Sequence, residues 1–165
     1  SQIIAPGVVD KISWILDDAN IDISNIAVVI SEQSCEGRST ELVYANLSRF
    51  RELGASVILS DFGKENASLR KLGDACATGV KIDCDLLCTN ESRPKSSPRQ
   101  NVFTRLPAIC ASLDIDVIAT GVDADKSKST VQSLGFRRGQ GDRLASPLTP
   151  ADAAMLLKDA NVSAA

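Results

Sequence analysis

Short apolar runs rich in β-branched residues alternate along the chain with longer segments whose apolar positions recur at helical spacing. Ile26-Ala-Val-Val-Ile30, Ala55-Ser-Val-Ile-Leu59 and Ile115-Asp-Val-Ile-Ala119 are of the first kind and read as strands buried on both faces. Ala77-Thr-Gly-Val-Lys-Ile82 is a weaker strand. Between them lie helical patterns. Val8, Ile12, Ile15 and Leu16 share one face of a helix opening near Pro6, with Trp14 read as packing from it. Leu42, Val43, Leu47, Phe50 and Leu53 keep the 3.6-residue period over residues 39–53, and Gly54 stops that helix. Further helices are predicted over residues 68–72, 103–113, 123–134 (closed by Gly135) and 146–157, the last after a Gly-rich turn. Residues 90–100 are polar, contain Pro94 and Pro98, and read as a loop. Alternation of this kind predicts a parallel β/α architecture, with residues 1–165 as one domain.

Composition narrows the chemistry. At 165 residues the chain is long enough for one domain with a real core. A net charge of −3 gives no general attraction to a nucleic-acid polymer or an anionic membrane. There is no histidine, which removes Ser-His-Asp and Cys-His catalysis and every His-based metal site. Carboxylates, lysines or a carboxylate-bound metal remain. The five cysteines form no framework, and no secretory signal or membrane-spanning run is visible. Reduced, mostly buried thiols in a cytoplasmic protein are the simplest reading. Cys84 and Cys88 stand four apart, but no second Cys/His pair completes a zinc site.

Each predicted strand runs into a polar residue at its C-terminal end. Ile30 leads to Ser31 and Glu32, Leu59 to Ser60 and Asp61, Val80 to Lys81 and Asp83, and Ala119 to Thr120 and Asp123. In a β/α barrel these ends converge on one face, where sites form. Carboxylates gathered there suit Mg²⁺ or Mn²⁺, because hard cations take oxygen ligands. Taken singly, each is an ordinary solvated strand end; the repetition over consecutive strands points to a site. Arg93, Lys95, Arg99, Arg137 and Arg138 read as a solvated basic surface that could also meet phosphates, and Glu36, Arg38 and Glu41 as the start of a solvated helix face.

Several of these segments resemble the EAL family of cyclic-di-GMP phosphodiesterases. Asp61-Phe-Gly63 followed by Ala67-Ser-Leu69 resembles the family's Asp-Asp-Phe-Gly-Thr-Gly-x-x-Ser-Leu segment. Lys81-Ile-Asp83 is similar to its Lys-Ile-Asp strand, Ile30-Ser-Glu32 to its Ile-Thr-Glu, and Ala119-Thr-Gly-Val-Asp123 to its Ala-Glu-Gly-Val-Glu. Gly135 to Gly141, followed by Ser146-Pro-Leu148, resembles its Gly-x-x-x-x-Gln-Gly and closing Pro-Leu. The matches are collinear from Ile26 to about Leu157. The resemblance implies a TIM-like (β/α) barrel of the EAL type, with this chain as roughly its C-terminal two-thirds, and a site for cyclic-di-GMP at the strand C-termini. It implies Glu32 and Asp61 as metal ligands for Mg²⁺ or Mn²⁺, Lys81 as the active-site lysine, and Asp83, Asp123 and Gln140 as residues near the ligand. In active members such metals activate water against a phosphodiester.

The departures from the pattern bear on function. Ser60 stands where the family has a metal-ligating aspartate, and Thr120 where it has a required glutamate. A hydroxyl is a weak ligand and no general base near neutral pH, and losing that base alone is worth about 10²–10⁴-fold in rate. Lys64-Glu-Asn66 replaces Thr-Gly-x in the loop that in the family couples metal binding to dimerisation, which counts against the homodimer the resemblance implies. Asp142 replaces an aromatic residue and Ser146 a basic one. The chain begins at what resembles the end of the second barrel strand, so the Glu-Ala-Leu segment lies outside it. It reads as a piece of a longer barrel, the alternative being a half-barrel completed by a partner.

These observations favour a degenerate EAL-like domain of a bacterial, cytoplasmic signalling protein, acting as a nucleotide receptor or by binding a protein partner. The alternatives are an active, metal-dependent phosphodiesterase when the barrel is complete, and an unrelated barrel enzyme using Lys81 as a Schiff-base nucleophile.

Overall fold

A computed structural model describes residues 2–37, 39–64, 69–87 and 98–163, giving for 69, 98–103 and 157–163 the backbone alone. Helix α1 (Val8–Asp18) precedes strand β1 (Ala27–Ser31), followed by α2 (Thr40–Glu52), β2 (Ser56–Ser60), α3 (Leu69–Asp74) and β3 (Gly79–Asp83). Then come α4 (Cys84–Leu87), α5 (Pro98–Ala111), β4 (Asp116–Thr120), α6 (Asp125–Ser133), β5 (Arg138–Gln140) and α7 (Pro150–Ser163). The strands form one sheet in the order β1-β2-β3-β4-β5, every neighbouring pair parallel. Parallel neighbours need a crossover, and the intervening helices supply it.

The sheet has two unlike faces, because side chains alternate along a strand. In register, Ile30 pairs with Leu59, Leu59 with Val80, and Ile82 with Ala119. These residues are all buried in the main core, with Val43 and Leu47 from α2, Leu72 from α3, and Leu106 and Cys110 from α5. Each of the Val, Leu and Ile side chains among them contributes about 1.5–3 kcal/mol by leaving water. Val9 of α1 packs separately with Phe50 and Ala55. The opposite face, with Ser31, Ser60, Lys81, Asp83 and Thr120, is partly open to solvent.

The pattern of apolar runs located the strands but placed three of them one residue early. β1, β2 and β4 end at Ser31, Ser60 and Thr120, not at the last apolar residue. Ladder hydrogen bonding does not stop where hydrophobicity stops, so the hydroxyl residues join the sheet. β3 starts at Gly79, not Ala77. β5 was expected to be a turn: its Arg138, Gly139 and Gln140 are all exposed, and it exists by pairing with β4. Pro98–Gln100, expected in a loop, begin α5, since proline suits a first helical turn; residues 90–97 of that loop lie outside the described residues. α7 starts at Pro150, with Ser146 before it.

The surface also differs from expectation. Trp14 does not pack: it is 67% exposed, and Ile15 is exposed beside it. Val9, one position round from the predicted stripe, is the buried residue of α1. Of the thiols, Cys35, Cys84 and Cys110 are buried as expected, but Cys76 is exposed; Cys88 lies outside the described residues. Among the described residues no helix is long and apolar enough to cross a membrane.

Candidate functional site at the strand C-termini

The strand ends meet as the alternation requires. Ser31 is in register with Ser60, Asp83 with Thr120, and Thr120 with Gln140. Ser31, Glu32, Glu36, Asp61, Lys64 and Lys71 line a cavity of about 210 Å³ at this end of β1 and β2.

Glu32 opens a short 3-10 turn after β1 and is the one charged side chain buried among the described residues. Its carboxylate accepts from the Gly63 N–H at 3.2 Å and from the Lys71 ammonium at 3.2 Å. Gly63 has φ 93°, a left-handed conformation that suits glycine and turns its amide toward Glu32. Lys71 also pairs with Glu36. Burial works to lower the Lys71 ammonium, but its bonds to Glu36 and Glu32 outweigh burial and hold it above the ordinary lysine value. Glu36 therefore belongs to this cluster and not to the solvated helix face expected for it.

Asp61 follows β2 with φ 56°, and its exposed carboxylate accepts from the Ser60 hydroxyl at 3.3 Å. The Lys64 ammonium sits 2.9 Å from Asp61 and 2.9 Å from Asp83, so it joins the ends of β2 and β3. Those two hydrogen bonds raise the Lys64 pKa well above the ordinary lysine value. Burial pushes the Asp83 carboxyl up, but the Lys64 ammonium and the Asp85 amide, 3.0 Å away, more than offset this and hold it below the usual range.

Lys81 of β3 reaches past β4 and donates to Gln140 Oε1 of β5 at 3.0 Å. Thr120 donates its hydroxyl to the Ile82 carbonyl at 3.3 Å, so the side chain bonds back to the sheet. Asp123 is exposed and accepts the Asp142 N–H at 2.9 Å, which fastens the turn after β5.

The residues singled out in the sequence thus fall into separate pairings. Glu32 and Asp61 share one cavity, Asp61 and Asp83 share Lys64, Lys81 meets Gln140, and Asp123 holds a turn. Among the described residues no three or more Asp, Glu, Cys or His side chains converge as a metal centre. Asp61, Asp83 and Glu32 each have an ammonium as partner, so as arranged this donor set does not fit a divalent cation. Sequence reasoning missed Lys64 and Lys71 as site residues. The Asp61–Lys64 spacing carried a weak signal; Glu32 and Lys71, far apart in sequence, carried none. Of the basic residues, Arg138 turns to Asp116 at the start of β4, 2.9 Å away, and not to the strand C-termini. Arg93 and Lys95 lie outside the described residues, as does the Arg99 side chain.

The sequence matches the EAL domain family over residues 1–147. The chain belongs to the EAL domain family. It is 29% identical over 134 residues to the cyclic di-GMP phosphodiesterase PdeR of Escherichia coli, covering 81% of this chain and 20% of PdeR. It is 30% identical over 139 residues to the blue light- and temperature-regulated antirepressor BluF of Escherichia coli, covering 82% of this chain and 34% of BluF. The EAL domain of Mycobacterium smegmatis DcpA superposes with a TM-score of 0.80 at 21% identity, covering 96% of this chain and 69% of that one. The fold is accordingly the TIM-like (β/α) barrel of EAL domains, and the parallel sheet forms an arc of it. The chain spans from about a fifth to about a third of the length of these two curated relatives.

Proposed function

We propose that this EAL domain serves cyclic-di-GMP signalling without hydrolysing the nucleotide, either as its receptor or through a protein partner. The observation that carries the reading is Thr120. It is in register with Asp83 and Gln140, at the position where the family has a required glutamate, and its hydroxyl is turned to the Ile82 carbonyl. A hydroxyl so bonded cannot take a proton from water near neutral pH. Ser60, where the family has a metal-ligating aspartate, supports the same reading. So does the relative BluF, whose name describes an antirepressor. Lys81 and Gln140 are the residues we assign to nucleotide contact, with Asp83 and Asp123 as further ligand-binding residues. We treat residues 1–165 as one unit of a bacterial cytoplasmic protein.

The second reading is a phosphodiesterase using Mg²⁺ or Mn²⁺, favoured by the likeness to PdeR. Calorimetric titration of the full-length protein with cyclic-di-GMP, in Mg²⁺ and again in EDTA, separates them when the same samples are assayed for the linear dinucleotide. Binding in EDTA without product is the result expected of a receptor. Metal-dependent product would establish the phosphodiesterase instead, and neither binding nor product would leave the protein-partner role.

A further inference from the structure

The Lys64 ammonium lies 2.9 Å from a carboxylate oxygen of Asp61 and 2.9 Å from one of Asp83. These side chains come from the ends of two neighbouring strands, and their approach leaves two like charges with one cation between them. The turn that delivers Lys64 is closed by its own amide, which donates to the Asp61 carbonyl at 3.2 Å. The side chain folds back over the turn it starts from.

A divalent cation and an ammonium compete for the same carboxylate lone pairs. Mg²⁺ would need those oxygens at about 2.0–2.1 Å, and the ammonium now holds them. The competitor is tethered, so it cannot be diluted or chelated away. A dication placed beside it would also meet its positive charge at short range. Glu32, which lines the same cavity as Asp61 and Lys64, is engaged in the same manner by Lys71 and by the Gly63 amide.

We propose that Lys64 is a built-in cation occupying the seat between Asp61 and Asp83 that a divalent metal would take, and that it makes this site refuse metal. This goes beyond the signalling role proposed above and does not depend on it, because the property is read without nucleotide.

The test is Mn²⁺ binding to the full-length protein by electron paramagnetic resonance of free Mn²⁺ and by calorimetry, with no nucleotide present. The natural protein is expected to show no Mn²⁺ site at this position below about 1 mM, the weak end of carboxylate sites. Lys64→Met is expected to gain a site at least about tenfold tighter, since a like charge is removed beside the cation. Adding Asp61→Asn to that variant should abolish the gain, and Lys64→Arg should remain refractory. Mn²⁺ bound by the natural protein as tightly as by Lys64→Met would overturn the proposal, and so would a folded Lys64→Met that gains nothing. Asp61→Asn alone gives an independent check: it should leave the Mn²⁺ response of the natural protein unchanged, and a loss of affinity would show that Asp61 already ligates metal.

Discussion

The Lys71 ammonium stands 3.2 Å from the Glu32 carboxylate, two side chains left 15% and 5% exposed at the mouth of the sheet. A largely buried ion pair is costly to break from one side, because the remaining charge keeps its desolvation without its partner. Glu32→Ala is expected to lower unfolding free energy by about 3 kcal/mol, within the range for broken buried pairs. Glu32→Gln, which retains an acceptor for the Gly63 amide, should cost less. Urea denaturation of both variants checks the order.

Lys81 and Gln140 meet at 3.0 Å across the edge of the sheet. If this pair contacts a nucleotide phosphate, Lys81→Met should weaken cyclic-di-GMP binding about 10-fold or more, as expected for a lost hydrogen bond to a charged group. Calorimetry reads the change, and an unchanged affinity would remove Lys81 from the binding site.

The lowered Asp83 pKa has a definite sign. Folding favours the ionised carboxylate, so its contribution to stability is present above the unfolded aspartate pKa of about 3.9 and lost as pH falls through the depressed folded value. The stability difference between the natural protein and Asp83→Asn should therefore shrink as pH is lowered below about 4. A difference constant down to pH 2, about two units below the ordinary value, would show that no such linkage exists.

Gly141 lies against the backbone of β4's exit: a Cβ there would sit 2.4 Å from the Val122 nitrogen and 2.5 Å from its carbonyl oxygen. Gly141→Ala must displace the turn that follows Gln140. A loss of about 1–3 kcal/mol is expected, as for other overpacked sites, together with weaker nucleotide binding if Gln140 contributes to it. Thermal unfolding and calorimetry on the same variant measure the two effects.

Burial pushes the Cys35 and Cys110 thiols up, while Cys76 is exposed. Iodoacetamide at neutral pH should therefore modify Cys76 well before Cys35 and Cys110, because the thiolate is the nucleophile and must be reachable. Mass spectrometry of timed digests gives the order directly.

The alternating parallel architecture and the central strands were legible in the order of apolar runs. Runs rich in β-branched residues such as Val57-Ile-Leu59 admit few readings other than a strand, but the expected burial on both faces is not what the structure has: β1, β2 and β4 each keep one face partly open. The gathering of polar residues at the strand ends was legible too, since each apolar run leads to one. Collinear short segments were enough to identify the family. Which of those polar groups meet depends on how the folded elements pack. β5 has no apolar residue, so its place came from hydrogen bonds offered by β4. Trp14 was expected inside and lies outside, because a helix face is set by what packs on it and not by the size of one side chain. Lys64 and Lys71 became site residues through ion pairs across separate elements, and attraction between charges distant in sequence leaves no periodicity to read.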